Sequence, residues 1–364
     1  MSRSPSDLTR WQNVLRRQKQ SNARQWLAKL ETAEDLSELV EQEYANLLRV
    51  LENTIQDEES FEFVFDLIQK LHPFVVGYAD WDRWLTYLQQ ALAQSQKLGH
   101  PQQAARLSEL VSDIAFLSGD WNQAKGFYGR SLRAYEESGD LKGYVSALAR
   151  LSAIHAAQGE IEAAINLGVE AISVSDSTGD SAALASAKLT LSQTYYHARE
   201  MTQSLALSKE ALALGQQLGL SDLVDKALLN IVACEISLAL WEEAEKTAKM
   251  LESRLNQASG IQRLSQIKNN LGIIAFHRND YLAAEHAWQE ALHLHSQMQY
   301  PAEAAGIRNN LGKVYTQLGE WETAEQMLLQ AIEVYDSLGD LYQWANTMDN
   351  LADLYKAWGK TAVF

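Results

Sequence analysis

The sequence predicts an all-α solenoid of antiparallel helix pairs, preceded by an N-terminal helical segment. Three observations carry this. Short turns recur every 40 residues: Ala79-Asp80-Trp81, Gly119-Asp120-Trp121, Gly159-Glu160-Ile161, Arg199-Glu200-Met201, Ala239-Leu240-Trp241, Asn279-Asp280-Tyr281 and Gly319-Glu320-Trp321. A second series lies halfway between: Gly99, Gly139, Gly179, Gly219, Ser259-Gly260, Gln299 and Gly339. Between turns, apolar residues recur at spacings of three and four, as in Leu148, Leu151, Ile154 and Leu311, Val314, Tyr315, Leu318, which is the period of a helix with one buried face.

In chain order, residues 1–60 stand outside the repeat and read as helices near 8–30 and 34–56, with Asp57-Glu58-Glu59-Ser60 as a connection. Residues 61–364 form the repeat region, about seven repeats and a C-terminal helix, so that 61–358 should hold eight first helices and seven second helices. Pro101 and Pro301 fall at helix starts, where a missing N–H is harmless, while Pro73 falls inside a helix and should kink it. Turn glycines supply the left-handed residue that ends a helix, and the acidic residue after each first-series turn is placed to cap the next. Ala124, Ala164, Ser204, Ala244, Ala284 and Ala324 form a small column; Ser131, Ala171, Ala211, Ala291 and Ala331 form another. Leu151, Leu191, Ile231, Leu271, Leu311 and Leu351 form a large one, followed directly by Ser152, Ser192, Val232, Gly272, Gly312 and Ala352. Large against small sets close helix crossings.

Composition bounds the function. A solenoid accommodates 364 residues without one large core. A net charge of −16 speaks against nucleic acid, which needs a basic face. Charge is uneven: residues 1–30 carry seven Lys or Arg against Asp7 alone, read as a solvated face or as pairing with the acidic body. The lone Cys234 rules out an internal disulfide framework and fits a reducing compartment. With no apolar run of about 18 residues and no signal-peptide core, a cytoplasmic protein without a membrane span is expected.

Asn309-Asn310-Leu311-Gly312-Lys313-Val314-Tyr315, then Leu318-Gly319-Glu320-Trp321, then Ala324 and Ala331, resemble the tetratricopeptide repeat. The familiar repeat is six residues shorter than this 40-residue version, whose period resembles the repeats of kinesin light chain and of bacterial signalling regulators. The resemblance covers 61–358 and implies a right-handed solenoid that binds proteins; it weakens at Arg199-Glu200-Met201 and Ala239-Leu240, where the turn glycine is absent. The segment Glu43-Tyr44-Ala45-Asn46-Leu47-Leu48, leading to Trp81, Trp84, Leu85 and Ala91-Leu92, is similar to the approach to the repeats of STAND-type ATPase regulators. That implies a relative of a sensor module.

Little else suggests chemistry. Gly359-Lys360-Thr361 has Leu354 where a phosphate loop needs glycine, and a helix where it needs a strand. None of the eight histidines pairs with another at the helical metal spacing; His293 and His295 are two apart. Cys234 reads as a core residue, with no basic neighbour to activate it. No catalytic residue, metal or cofactor is expected, and the chain does not read as an enzyme. Trp81, Trp121, Trp241 and Trp321 open second helices and should wedge between repeats; Trp344 and Trp358 lie on the last helix, facing inward or marking a homodimer contact at the C-terminal end.

The expected function is an interaction scaffold that holds a protein segment or peptide in a groove lined by first helices. Asn230, Asn270, Asn310 and Asn350 form a column at the 40-residue step, doubled by Asn269 and Asn309. Asparagine disfavours helix interiors, so a register of them calls for a reason. Facing the groove, each offers a donor and an acceptor to peptide backbone, a role that asparagines here serve in kinesin light chain and the carboxylate-clamp proteins, which the ladder resembles. Bonding across to the next helix is the competing role. Lys268, Arg308 and Lys313 would meet acidic side chains or a C-terminal carboxylate. Two alternatives stand beside this: a peptide-gated regulator resembling the Rap-type response-regulator phosphatases, with Gln12, Gln18, Gln20, Gln25 and Gln42 as unranked candidates in residues 1–60, and an assembly factor binding through its convex face or ends.

Overall fold

The computed structural model describes residues 5–33, 36–78, 81–255, 261–295 and 301–360, with side chains from residue 14 onward except at 37 and 76–78. The described residues are all helix and turn, with no strand. The turn positions 79–80, 259–260 and 299 lie outside them. Two compact units divide the chain, residues 1–197 and 198–364.

The first unit holds α1 (Pro5–Glu31), α2 (Leu36–Thr54), a 3-10 turn (Glu58–Ser60), α3 (Phe61–Tyr78), α4 (Trp81–Leu98), α5 (Pro101–Leu117), α6 (Trp121–Ser138), α7 (Leu141–Ala157), α8 (Ile161–Thr178) and α9 (Ser181–His197). The second holds α10 (Met201–Leu218), α11 (Ser221–Ser237), α12 (Trp241–Arg254), α13 (Ile261–His277), α14 (Tyr281–His295), α15 (Pro301–Leu318), α16 (Trp321–Leu338) and α17 (Leu341–Trp358). From α3 onward, odd-numbered helices are first helices and even-numbered ones second, giving the expected eight and seven. Pro73 lies inside α3, which runs on without a break to Tyr78.

The turns keep register even without glycine. Gly119, Gly159 and Gly319 sit at φ between 77 and 79°, and Arg199, Ala239 and Asn279 adopt the same left-handed conformation at φ 65, 56 and 62°. The backbone bonds persist too: Leu240 N–H donates to the Glu235 carbonyl at 2.9 Å, as Asp120 N–H does to that of Ala115. A left-handed non-glycine residue costs roughly 1–2 kcal/mol, which burial of the flanking helices offsets.

The expected first-series acidic caps divide by side-chain length. Asp120 and Asp280 each accept a backbone N–H three residues on, at 3.0 and 3.1 Å, as Asp140 and Asp340 do after second-series turns. Glu160, Glu200 and Glu320 make no such bond, because the extra methylene carries the carboxylate past the exposed N–H groups. Glu160 instead takes the Lys125 ammonium at 2.9 Å.

The small columns are fully buried: Ala124, Ala164, Ser204, Ala244, Ala284 and Ala324 are each at 0% exposure. Two of the tryptophans opening second helices stack on the end of the following first helix, while Trp121 meets Phe116 of the preceding one edge-on. Trp241 lies on His277 with centroids 4.4 Å apart, and Trp321 on Trp358 at 6.4 Å. Trp344 packs against Ala305, Ala331 and Tyr335, so both tryptophans of α17 pack against the repeat before it. In the first unit, α1 and α2 share one core with the early repeats, through Leu27, Leu30, Leu47, Leu51, Leu67, Leu71, Trp84 and Leu110. Two basic residues of α1 pair with acidic ones beyond it: Arg16 reaches Asp57 at 3.3 Å and Glu59 at 3.1 Å, and Lys29 reaches Glu43 at 3.3 Å. No helix among the described residues is long and apolar enough to cross a membrane.

Candidate functional site

The asparagine ladder takes shape in the second unit, where α13, α15 and α17 follow one another as first helices. Trp288 of α14 sets its chemistry. An indole N–H only donates, and Trp288 Nε1 shares it between the Asn269 backbone carbonyl at 3.2 Å and Asn269 Oδ1 at 3.0 Å. Asn269 Oδ1 also accepts from Asn310 Nδ2 at 3.2 Å. One helix on, Asn309 Oδ1 accepts from Asn350 Nδ2 at 2.8 Å. Each bond joins residues 41 apart in adjacent first helices. Interhelical bonding, the competing role for these amides, is therefore present. It also leaves Asn269 its Nδ2 group and Asn310 its Oδ1 to face outward.

Both open onto a hollow of about 530 Å³ between these helices, lined also by Gln266, Glu303, Gly306, Tyr335, Asp340, Gln343, Asn346 and His295. The lining is amide-rich, with two carboxylates. Tyr335 is 4% exposed; burial, then the charges of Asp340 and Glu303, push its phenol pKa up. His295 is 5% exposed, and burial pushes its pKa down, so the ring is neutral at pH 7.

The other expected residues lie elsewhere. Asn230 of α11 turns to α10, the second helix of the preceding repeat, its Nδ2 2.7 Å from Ser208 Oγ. Asn270 is half-buried on α13 and is not part of the hollow's lining. Lys268 sits between Glu252 at 2.7 Å and Glu290 at 2.6 Å, beside a separate hollow with His286 and His293. Burial pulls its pKa down, but the two carboxylates outweigh that and hold it above the ordinary lysine value. Lys313 lies 5.2 Å from the Phe276 ring centroid, and Arg308 is half-buried on α15, outside the lining.

Sequence reasoning missed Gln266, Glu303, Gln343, Asn346, Tyr335 and His295. A signal existed for four. Residues 266 and 346 share one 40-residue column, and 303 and 343 another, each about one or two turns before the asparagine column and so on the same face.

The remaining candidates are structural in their contacts. Cys234 is buried, its Sγ 3.1 Å from Ser204 Oγ, and burial pushes the thiol pKa up. Gly359 ends α17 at φ 73°; Thr361 lies outside the described residues. Trp84 Nε1 donates to His72 Nδ1 at 3.1 Å. Among the described residues no group of three or more His, Cys, Asp or Glu is placed to hold a metal ion. Of the glutamines in the N-terminal segment, Gln20 reaches Asp57 at 3.3 Å and Gln42 reaches Glu38 at 3.0 Å. Gln18 lines a hollow of about 250 Å³ with Lys19, Asn22 and Asn53, and Gln25 is exposed. The side chain of Gln12 lies outside the described residues.

Residues 303–363 match the family model of the tetratricopeptide repeat. No curated protein matches the chain by sequence. Among solved structures, aspartyl phosphate phosphatase F from Bacillus subtilis is similar with a TM-score of 0.64 and 11% identity, over 94% of this chain and 97% of that one. A Rap protein complexed with competence and sporulation factor gives 0.59 and 14%, over 94% and 98%. A STAND protein with a tetratricopeptide repeat sensor from Pyrococcus horikoshii gives 0.60 and 14%, over 88% of this chain and 49% of that one. At these identities the likeness is one of fold. Residues 303–363 thus carry the tetratricopeptide match, and the described residues have the all-helical repeat architecture of these structures.

Proposed function

We propose that this protein is an interaction scaffold that holds an extended segment of a partner protein, or a free peptide, in the groove formed by α13, α15 and α17. The observation that carries the reading is the fixed amide orientation. Trp288 Nε1 and Asn310 Nδ2 both donate to Asn269 Oδ1, so Asn269 Nδ2 and Asn310 Oδ1, without a hydrogen bond among the described residues, are the donor and acceptor these two residues offer to the 530 Å³ hollow they line. An extended peptide backbone presents the complementary acceptor and donor. Gln266, Gln343 and Asn346 add further amides along the same line. The tetratricopeptide architecture supports the reading, because stacked helix pairs offer such grooves at little cost in rearrangement.

The test separates binding from folding. A displayed library of peptides of about ten residues is selected against the protein. Gln343→Ala with Asn346→Ala should then weaken the selected peptides at least about tenfold, with an unchanged melting temperature. Selected peptides that bind this variant at full strength would end the groove reading.

A second reading is a peptide-gated regulator similar to the Rap proteins. It is favoured by a fold likeness that takes in the N-terminal helices as well as the repeats. It expects the purified protein to accelerate loss of phosphate from an aspartyl-phosphorylated response regulator. Third, an assembly factor acting through its ends has support in the exposed Leu341 and Tyr342, at 75 and 79%; equilibrium sedimentation tests its homodimer form.

A further inference from the structure

The groove reading leaves the chemistry of the bound segment open, and the lining narrows it. Resting on that reading, we propose that the groove of the second unit takes a segment carrying a cationic side chain, arginine above all, seated between Glu303, Asp340 and the buried ring of His295. None of the described lining residues is a lysine or arginine, while Glu303 and Asp340 both face the hollow. Glu303 is exposed and has no ion pair among the described residues. Asp340 gives Oδ1 to the backbone N–H of Gln343 at 3.1 Å, which leaves Oδ2 available. The charges of both carboxylates act on Tyr335, so their fields converge at one place.

The second observation is independent of charge. His295 lines the same hollow, is 5% exposed, and its Nδ1 has no hydrogen-bond partner. A buried polar atom without a partner is uncommon and asks for one. The ring is neutral, so a nitrogen of it can accept. Gly306 keeps the space above Tyr335 open; a Cβ there would come 3.4 Å from the phenol oxygen. A guanidinium offers five N–H donors in a rigid plane, enough for two carboxylates, an imidazole nitrogen and a phenol oxygen. A carboxylate offers none, and would face Glu303 and Asp340. The acidic ligand expected from Lys268, Arg308 and Lys313 finds no counter-charge here, since Lys268 is held by Glu252 and Glu290.

The probes are end-blocked alanine–serine peptides of about seven residues, with a central arginine, glutamine or glutamate, measured by biolayer interferometry on the full chain. The arginine peptide should bind on the order of tenfold to a hundredfold more tightly than the glutamine one, as charge-assisted hydrogen bonds allow. Glu303→Gln with Asp340→Asn should erase that preference without lowering the melting temperature, because asparagine keeps the helix cap. Equal binding of arginine and glutamine peptides, or tighter binding of the glutamate one, overturns the inference. An unblocked glutamine peptide that matches the blocked arginine peptide also overturns it, assigning the cation to a chain terminus. Gln343→Ala with Asn346→Ala reports on the groove itself. If this variant weakens arginine and glutamine peptides alike and the two bind equally in the parent, the groove stands and the charge selection falls. If no peptide binds, both fall together.

Discussion

Gly272→Ala is the perturbation that most directly probes the packing beneath the groove. In an open helix position this change stabilises by about 1 kcal/mol, through helix propensity. At Gly272 the added Cβ would stand 2.5 Å from Trp288 Nε1 and 2.7 Å from its Cδ1 and Cε2. Ordinary carbon contacts lie at about 3.5–4.0 Å, so the indole must retreat by about 1 Å. It has little room: Trp288 is 1% exposed and packs against Phe276 with centroids 5.8 Å apart. Overpacking costs roughly 1–3 kcal/mol, and weakening the 3.0 Å bond to Asn269 costs about 1 kcal/mol more. The propensity gain offsets only part of this, leaving a net loss of about 1–3 kcal/mol.

The control is Gly126→Ala in α6, where a Cβ would meet nothing within 4 Å, so the full gain of about 1 kcal/mol should appear. Repeat stacks unfold piecewise, so the assay is amide hydrogen exchange resolved by peptide. Exchange in α13 and α14 should quicken in the Gly272 variant, and exchange in α6 should slow in the Gly126 variant. Protection that rises in both variants alike would refute the socket argument. Groove binding should also fall in the Gly272 variant, since the retreating indole releases the amide that orients Asn310.

Three further outcomes follow from single contacts. Glu235 is 3% exposed, with Lys209 Nζ only 3.8 Å away and Oε2 unpartnered; burial pushes its pKa up. The folded state therefore holds a proton that the unfolded chain releases near pH ~4.3, and stability falls as pH rises from there through the raised value. Glu235→Gln should thus stabilise by up to about 1 kcal/mol at pH 7 and by nothing below pH ~4, read from urea melts at both pH values. Asp140→Ala should cost about 1 kcal/mol by loss of its bond to Gly143 N–H, whereas Glu200→Ala, which removes no cap, should be near neutral in thermal melts. Asn310→Ala should cost about 1 kcal/mol and act locally, since Asn269 keeps Trp288 as a donor; exchange rising across the whole second unit would contradict this.

The fold was legible because its period is redundant. Turn position, helix length and small columns all repeat at 40 residues, so the loss of any one signal leaves the others. Arg199, Ala239 and Asn279 show this: the glycine is gone, yet φ stays between 56 and 65°, because the packing on either side fixes where the chain must turn. Capping was less legible. A column of acidic residues hides the difference between aspartate and glutamate, and one methylene decides whether a carboxylate reaches the exposed N–H. The column of Gly272 and Gly312 was read as merely small. Its meaning lies in its partners, Trp288 and Leu328, which a Cβ at either glycine would strike at 2.5 Å.

The proposed groove joins asparagines legible in the sequence to lining residues that were not, for a reason of the same sort. A repeat column guarantees that residues occupy equivalent backbone positions; it does not make their surroundings equivalent. Asn230 meets Ser208, whereas Asn269 meets an indole that donates to its amide oxygen. Successive helical residues lie about 100° apart around the axis, so Lys268 stands about a quarter-turn around α13 from its neighbour Asn269, which lines the hollow. Lys268 accordingly faces Glu252 and Glu290, and the hollow is lined by residues three or four apart, as 266 and 269 are, then 303, 306 or 307, and 310, then 343 and 346. The angular period of the helix makes the lining of the hollow amide and acidic, and in the proposed groove that lining sets what a partner would have to bring.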